Sequence, residues 1–262
     1  MSAPVESDTP DAVVTQRDPG IMVITINRPD QRNAMTKAAA HIIADALREL
    51  DSRSDLGAAV ITGAGGSFCA GMDLKRFAAG ELPRTEVGGF AGFVEAPPKK
   101  PIIAAVEGWA LGGGFEIVLA CDLVVAAAGA RFGLPEVRRG LIARGGGVVR
   151  LPRRLPRAIA LEAILTGEPL SAQTAASFGM VNTVVPDGDA LDAAVDLARR
   201  ISVNAPLAVA VSKQIVDESE DWPQGELFSR QQAISDPVFT SHDAAEGAAA
   251  FAQKRAPVWT GR

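Results

Sequence analysis

Short apolar segments with β-strand character recur through the first two thirds of the chain, and helix-like segments separate them. The first strand candidate is the β-branched run 21–26, which Asn27-Arg28-Pro29 closes. Residues 36–50 then place apolar side chains at helical spacing, with Thr36 as the candidate N-cap. Further strand candidates lie at 58–62, 102–106, 122–126 and 181–185. This alternation predicts an α/β fold in which crossover helices cover largely buried strands.

The strand signal disappears near residue 190, and helical spacing then predominates. Helices are predicted at 189–203, 205–220, 223–235 and 243–255. We therefore predict three parts: a disordered tail at 1–11, an α/β core at 12–190, and a helical region at 191–262 that packs on another surface, such as a neighbouring subunit. Residues 77–100 are rich in Gly and Pro without a steady period, which predicts a mobile loop or a short irregular helix of the kind that is often functional.

Composition and charge narrow the class of protein. The chain has 262 residues, of which 47% are hydrophobic, so it can bury a sizeable core. A net charge of −5 and a pI near 5.2 argue against a nucleic-acid-binding protein. Because no stretch approaches about 18 uninterrupted apolar residues, we expect no membrane span. Residues 1–13 have acids but no Arg and no apolar core, which indicates neither a secretory signal nor a transit peptide, so we expect a cytoplasmic protein.

Cysteine and histidine are scarce, with two of each in the sequence. Cys69 and Cys121 lie in apolar stretches and are predicted to be free, buried thiols. His41 falls in a helix-like segment and His242 in a polar one, and neither is near a nucleophile motif, so both are interpreted as structural or surface residues. Without a Cys/His cluster we expect no metal site, and we expect no cofactor.

The most specific segment is 103–123, where a buried strand ends near Gly108 and the glycines Gly112-Gly113-Gly114 open a helix. Without Cβ atoms a ligand can approach the bare N–H groups at the helix N-terminus, where the helix dipole favours negative charge. Such a site suits an anion or a developing oxyanion. The alternative is a tight strand-to-helix turn that needs glycine only for packing. The run matches neither the Walker motif nor the Gly-x-Gly-x-x-Gly fingerprint.

A second loop, residues 66–74, also follows a predicted strand and can present the N–H of Met72 to the same pocket. Two such donors on one carbonyl oxygen form an oxyanion hole, and each donor typically lowers the barrier by about 3–4 kcal/mol.

Two carboxylates follow, Glu116 just after the glycines and Glu136 after Pro135. Glu116 can instead complement the helix dipole, and Glu136 can start a surface helix. A catalytic role for the two glutamates is favoured only if both face one pocket.

At this point the sequence resembles a known family. Segment 103–123 is similar to the signature of the enoyl-CoA hydratase/isomerase (crotonase) superfamily. Supporting similarities are Asn27-Arg28-Pro29 with Asn33-Ala34, and the segments 68–74, 132–136, 176–182 and 251–257. The resemblance spans roughly residues 12–257. It implies a crotonase-like α/β spiral of ββα turns with a C-terminal α-helical trimerisation region, assembled as a homotrimer or a dimer of trimers.

The resemblance also implies a binding site for an acyl-CoA thioester. The backbone N–H groups of Met72 and Gly113 would bind the thioester oxygen. The coenzyme A part of the substrate would follow the main chain near Arg32, Ala34, Ala70, Asp73 and Leu74, while Phe251 and Lys254 would contact its adenosine-phosphate end, often from the adjacent subunit. Coenzyme A then belongs to the substrate and is not a separate cofactor.

Hydratases of the family resemble this chain in having both glutamates. Polarising the thioester carbonyl makes C3 of a 2-enoyl group electrophilic, so that one carboxylate can take a proton from water as it attacks C3 while the other handles the proton at C2. We expect Glu136 to donate the proton at C2 and Glu116 to activate the water. The predicted activity is that of an enoyl-CoA hydratase, a hydro-lyase that adds water in the syn sense.

Departures from the family pattern leave alternatives open. Many hydratases carry Pro-x-x-Gly-Gly where this chain has residues 142–146, and Arg144 in that segment either binds a polar acyl group or, as we favour, points to solvent. Segments 132–136 and 146–152 resemble the branch that contains carnitinyl-CoA dehydratase. The alternatives are therefore a hydratase or dehydratase of a polar acyl-CoA, a Δ3,Δ2-enoyl-CoA isomerase, and a non-catalytic acyl-CoA-binding protein.

The arginines within 138–157 are interpreted as a solvated or intersubunit face, with attraction of anionic coenzyme A as the alternative.

Overall fold

The computed structural model describes residues 10–262, and within them the chain forms eleven β-strands and ten α-helices. The strands are β1 (Ala12–Gln16), β2 (Ile21–Ile26), β3 (Ala58–Gly63), β4 (Arg84–Thr85), β5 (Gly89–Phe90), β6 (Ile102–Val106), β7 (Trp109–Leu111), β8 (Leu123–Ala127), β9 (Arg131–Gly133), β10 (Leu170–Ser171) and β11 (Thr183–Val185). The helices are α1 (Lys37–Ser52), α2 (Leu74–Ala78), α3 (Gly113–Ala120), α4 (Gly147–Arg154), α5 (Arg157–Thr166), α6 (Ala172–Ser177), α7 (Ala190–Ser202), α8 (Pro206–Ser219), α9 (Leu227–Phe239) and α10 (His242–Gln253).

Six strands form the main sheet in the order β1-β2-β3-β6-β8-β11, where only the β1–β2 pair is antiparallel. A second sheet has the order β10-β9-β7, and β4 with β5 forms a small hairpin. The successive units β6-β7 and β8-β9 each place one strand in the main sheet and the next in the second sheet. Parallel strands need crossover connections, which α1 and α3 supply. The predicted crotonase-like α/β fold is thus confirmed.

The main sheet is buried on both faces, as its nearly continuous apolar strands predict. Successive side chains of a strand point to opposite faces. Met22, Ile24 and Ile26 of β2 therefore join the larger core, which includes α1 and α3, whereas Ile21 and Val23 join a second core. Helix α7 closes that second core with Ala190, Ala194, Val195 and Ala198. The sheet is consequently a rigid platform from which the connecting loops project.

Several local predictions are confirmed. Helix α1 begins after Thr36, whose side chain accepts a hydrogen bond from the Ala39 N–H. Cys69 and Cys121 are free and buried. The sequence did not reveal β1, because it is an edge strand in which only the first residue, Ala12, is buried. Residues 80–100 form mostly irregular structure around the β4–β5 hairpin.

The predicted disordered tail lies outside the described residues except for positions 10 and 11. Asp11 is held in place, since it accepts a hydrogen bond from the Thr36 hydroxyl at 2.6 Å and pairs with Arg28 at 3.3 Å. At the other end, α8 packs on α9, and neither helix has a buried residue within the chain. No helix of the part described here is both long and apolar enough to cross a membrane.

Candidate active site

A cavity of about 350 Å³ opens where the loop after β3, the N-terminus of α3 and the segment around residues 135–145 meet. Its walls include six of the residues predicted from the sequence: Ala70, Met72, Leu74, Gly113, Glu116 and Glu136. The remainder is largely apolar, with Phe77, Leu82, Phe90, Leu141 and Ile142. The fold thus brings both predicted oxyanion donors and both predicted acids to one cavity.

The two glycine-containing loops lie directly against each other. The Cys69 N–H donates to the Trp109 carbonyl at 3.0 Å, and the Leu111 N–H donates to the Cys69 carbonyl at 2.9 Å, so the first loop runs beside β7 as far as the N-terminus of α3. A Cβ on Gly71 would lie 3.2 Å from the nitrogen of Gly113. Glycine at 71 is therefore what allows Met72 and Gly113 to lie on the same wall.

The N–H groups of Met72 and Gly113 are free of protein acceptors within residues 10–262. The backbone groups on either side of Met72 are hydrogen-bonded to Met35. The Gly71 carbonyl accepts from the Met35 N–H at 2.7 Å, and the Asp73 N–H donates to the Met35 carbonyl at 3.1 Å. Gly113 is the first residue of α3, where a helix leaves its N–H groups unpaired. Two free donors at one cavity wall are what stabilisation of a carbonyl oxyanion requires.

Glu116 projects from the first turn of α3 and is 4% exposed. Its Oε1 accepts a hydrogen bond from the Gly147 N–H at 2.9 Å, and a Cβ on Gly145 would lie 2.6 Å from its Oε2. A glycine turn at 145–147 thus closes around this carboxyl. Burial raises the pKa of Glu116 to about 7; the hydrogen bond from Gly147 opposes that shift, and the negative charge of Glu136 adds to it.

Glu136 lies in a 3₁₀ helix, Pro135–Arg139, at the cavity wall. Its Oε1 would lie 3.0 Å from a Cβ on Gly112, whose φ of +54° also favours glycine. Its Oε2 is buried and has no hydrogen-bond partner in the described part of the chain. Burial raises the pKa of Glu136, and the charge of Arg139 opposes the rise. A buried carboxyl oxygen without a partner is available to a reacting group.

Three residues predicted to line the coenzyme A path hold the loop together instead of lining the cavity. The Arg32 carbonyl accepts from the Ala70 N–H at 3.0 Å, and the Ala34 carbonyl accepts from Arg28 at 2.6 Å. Asp73 caps α2 and pairs with Arg28 at 3.0 Å. Their side chains or carbonyls fix the loop that carries Met72.

The two predicted contacts in the C-terminal region do not line the cavity of this chain either. Phe251 lies on α10 and is 88% exposed, and Lys254 caps that helix in the left-handed conformation. Helix α10 packs on α9.

The sequence missed Phe90 and favoured a solvent-facing Arg144. Phe90 lies in the irregular 80–100 segment, where no periodicity marks it, yet its ring packs where a Cβ on Gly113 would be. Arg144 is exposed and lies at the cavity wall, as does Arg139. Among residues 10–262 there is no group of three or more His, Cys, Asp or Glu side chains arranged to hold a metal ion.

Comparison with known proteins gives one consistent family. The profile of the enoyl-CoA hydratase/isomerase family matches residues 16–262. The crystal structure of enoyl-CoA hydratase EchA1 from Mycobacterium marinum is 54% identical, with a TM-score of 0.95, over 97% of this chain and 100% of that chain. Enoyl-CoA hydratase EchA19 of Mycobacterium tuberculosis is 41% identical over 99% of this chain and 100% of its own length. Carnitinyl-CoA dehydratase of Salmonella typhi is 42% identical over 94% of this chain and 97% of its own length. The chain belongs to the enoyl-CoA hydratase/isomerase family.

Proposed function

We propose that this protein is an enoyl-CoA hydratase, a hydro-lyase that adds water reversibly to the double bond of a 2-enoyl-CoA thioester. One observation carries the proposal: buried Glu116 and half-buried Glu136, whose pKa values are both raised, line the same cavity as two backbone N–H groups that have no protein acceptor within residues 10–262. The first pair suits proton transfer near neutral pH, and the second suits a developing oxyanion.

The N–H groups of Met72 and Gly113 bind the thioester oxygen in the proposed complex. As hydroxide adds at C3, negative charge moves onto that oxygen, and the two donors stabilise the resulting enolate. The start of α3 adds positive potential at the same place. The donors therefore act mainly on the enolate-like transition state, which is the condition for accelerating the reaction.

In each direction of the reaction one glutamate accepts a proton and the other donates one, so the number of protons on the pair does not change. In hydration, Glu116 takes one proton from water while the oxygen bonds to C3, and Glu136 gives its proton to C2. The pair ends with its single proton on Glu116. In dehydration the same steps run backwards: Glu116 protonates the departing hydroxyl and Glu136 takes the proton from C2. Because burial raises the pKa of Glu116 to about 7, this residue can hold a proton near neutral pH, as the starting state for dehydration requires.

The coenzyme A part of the substrate passes along the loop of residues 70–74, with Ala70 and Leu74 in the cavity wall. Arg32, Ala34 and Asp73 support that loop, and we propose that Phe251 and Lys254 reach the adenosine-phosphate end from a neighbouring copy in a homotrimer or a dimer of trimers. The proposed reaction uses no metal and no separate cofactor, because the amide donors and the two acids supply each step. We also propose a cytoplasmic enzyme.

A polar acyl-CoA is the second candidate substrate. Beside its apolar residues, the cavity wall contains the ion pair Arg84–Glu95 and the exposed side chains of Arg139 and Arg144. These groups can hydrogen-bond a hydroxylated or charged acyl chain. An isomerase needs only one base between C2 and C4, and a merely binding protein needs neither acid, so the retention of both glutamates favours hydration or dehydration.

Hydration of crotonyl-CoA by the purified protein, followed as loss of conjugated-thioester absorbance, tests the proposal. Glu136→Gln should lower kcat by at least about 10²-fold while a CoA ester still binds, because the amide keeps the shape but cannot transfer the proton. Longer 2-enoyl-CoA, 3-enoyl-CoA and carnitinyl-CoA substrates in parallel separate the candidates. Tight ester binding with no turnover of any of them, or a fully active Glu136→Gln variant, would refute the assignment.

A further inference from the structure

Arg150, on α4, lies beside the turn that encloses Glu116, and no step of the proposed mechanism uses it. The residue is half-buried, and its guanidinium folds back over the N-terminus of its own helix. A Cβ on Gly146 would overlap its Nη1, so the guanidinium packs on the bare Cα of that glycine. The φ of +101° at Gly146 independently favours glycine there. The turn and the arginine therefore form one packed unit.

The same guanidinium also holds the irregular segment that contains Phe90. Its Nη2 donates a hydrogen bond to the carbonyl of buried Val94 at 2.7 Å. Val94 in turn donates from its N–H to the Phe90 carbonyl at 3.2 Å, and the Phe90 ring packs on Gly113. A charged donor to a partly buried carbonyl is a strong form of hydrogen bond, so this contact is suited to fixing a segment that has little regular structure.

We propose that Arg150 is a positioning residue that joins the segment 88–95 to the glycine turn 145–147 and so fixes the carboxyl of Glu116 and the ring of Phe90. The glycine turn donates to Glu116 through Gly147, and the Arg150 guanidinium packs on Gly146 of the same turn. A shift of this turn moves the hydrogen bond that orients Glu116. The kinetic part of the inference rests on the proposed hydratase activity; the structural part does not.

Arg150 also acts on Glu116 through its charge. Its positive charge lowers the pKa of Glu116, against the larger effect of burial, so its removal moves that pKa upward. The other charged group facing Glu116 is Glu136, which is itself influenced by Arg139. Around Arg150 the further titratable groups are those of Arg153, Arg154 and Cys121.

Hydrogen–deuterium exchange of the full-length protein tests the structural part without any substrate. In Arg150→Met, which keeps much of the length and loses the charge and the donors, amides of the 88–95 segment should exchange at least about tenfold faster. Arg150→Lys, which keeps a donor and the charge, should lie between Arg150→Met and the unsubstituted protein. Arg153→Met is the matched control, because Arg153 is on the same helix but pairs with the exposed side chain of Glu220 at 2.9 Å; it should leave the segment unchanged.

Steady-state kinetics with the enoyl-CoA substrate that the unsubstituted protein hydrates tests the catalytic part. Arg150→Met should lower kcat by about 10- to 100-fold with a smaller change in KM, and its pH profile should move to higher pH. Arg150→Gln is measured in parallel, so that the result does not depend on the folding of one variant. Unchanged exchange in 88–95, or faster exchange with an unaltered kcat and pH profile, would overturn the inference. An unsubstituted protein without activity would contradict the proposed function instead, and the exchange result would stand on its own.

Discussion

At the scale of single residues, the site depends on shielding the carboxyls of Glu116 and Glu136 from solvent. Glu116 is enclosed by the glycine turn 145–147, and one oxygen of Glu136 is buried without a protein partner among the residues that the structure describes. Burial disfavours the ionised form, and the two negative charges repel each other, so both effects favour a pair that carries one proton near neutral pH. One proton is the number that both directions of the proposed reaction need.

The pH dependence of kcat/KM follows from this pair. Below the raised pKa of Glu136 the pair takes up a second proton, and above a pH of about 7 it loses its last one, so activity should fall on both sides. We expect a bell-shaped profile whose alkaline limb has its midpoint near 7, both in hydration and in dehydration. In dehydration, where Glu136 is the base, Glu116→Gln should remove that limb from the residual activity. A rate that rises steadily to pH 9 would contradict the shared proton.

At the scale of secondary-structure elements, the N-terminus of α3 combines two requirements at Gly112. Its φ of +54° and ψ of −125° favour glycine, and a Cβ would lie 3.0 Å from the Oε1 of Glu136. The same turn leads into Gly113, the proposed oxyanion donor. A side chain at position 112 would therefore disturb the backbone and one of the acids together.

Gly112→Ala should destabilise the protein by about 1–3 kcal/mol and also lower kcat by at least about 10²-fold. Gly179→Ala is the matched control, because Gly179 has a φ of +81° but open space where a Cβ would be. It should show a comparable fall in the free energy of unfolding in urea with nearly unchanged kcat. Equal kinetic losses in the two variants would mean that backbone strain alone explains the effect.

The sequence predicted those elements whose signals are local. The apolar run of β2, the cap at Thr36 and the glycines that open α3 each determine structure within a few residues, and all three are present. Phe90 escaped prediction, and the interpretation of Arg150 as part of a solvated or intersubunit face was wrong. Both roles arise from contacts between segments distant in the chain, such as the bond from Arg150 to Val94. The site residues taken from the family resemblance lie partly at the cavity, while their roles remain predictions until tested.

At the scale of the whole molecule, the main sheet and the C-terminal helices have different roles. The main sheet, covered on both faces, fixes the loops around the cavity. The helices α8 and α9 bury no residue within the chain, and three phenylalanines of the C-terminal region are at least 79% exposed: Phe228, Phe239 and Phe251. Exposed apolar side chains of this size mark a surface that binds another protein surface, and the predicted occupant is a second copy of this chain.

Light scattering should therefore give a mass of three or six times 27.2 kDa in solution. Phe239→Asp places a charge on the exposed apolar face of α9, so it should reduce that mass, and KM for the CoA ester should rise by at least about tenfold because Phe251 and Lys254 no longer reach a neighbouring site. Leu165→Asp, a matched change on α5 at a side chain that is 68% exposed, should leave mass and KM unchanged. A Phe239→Asp protein that dissociates while keeping the original KM would show that each chain binds coenzyme A by itself and would remove the proposed contribution of the neighbouring copy.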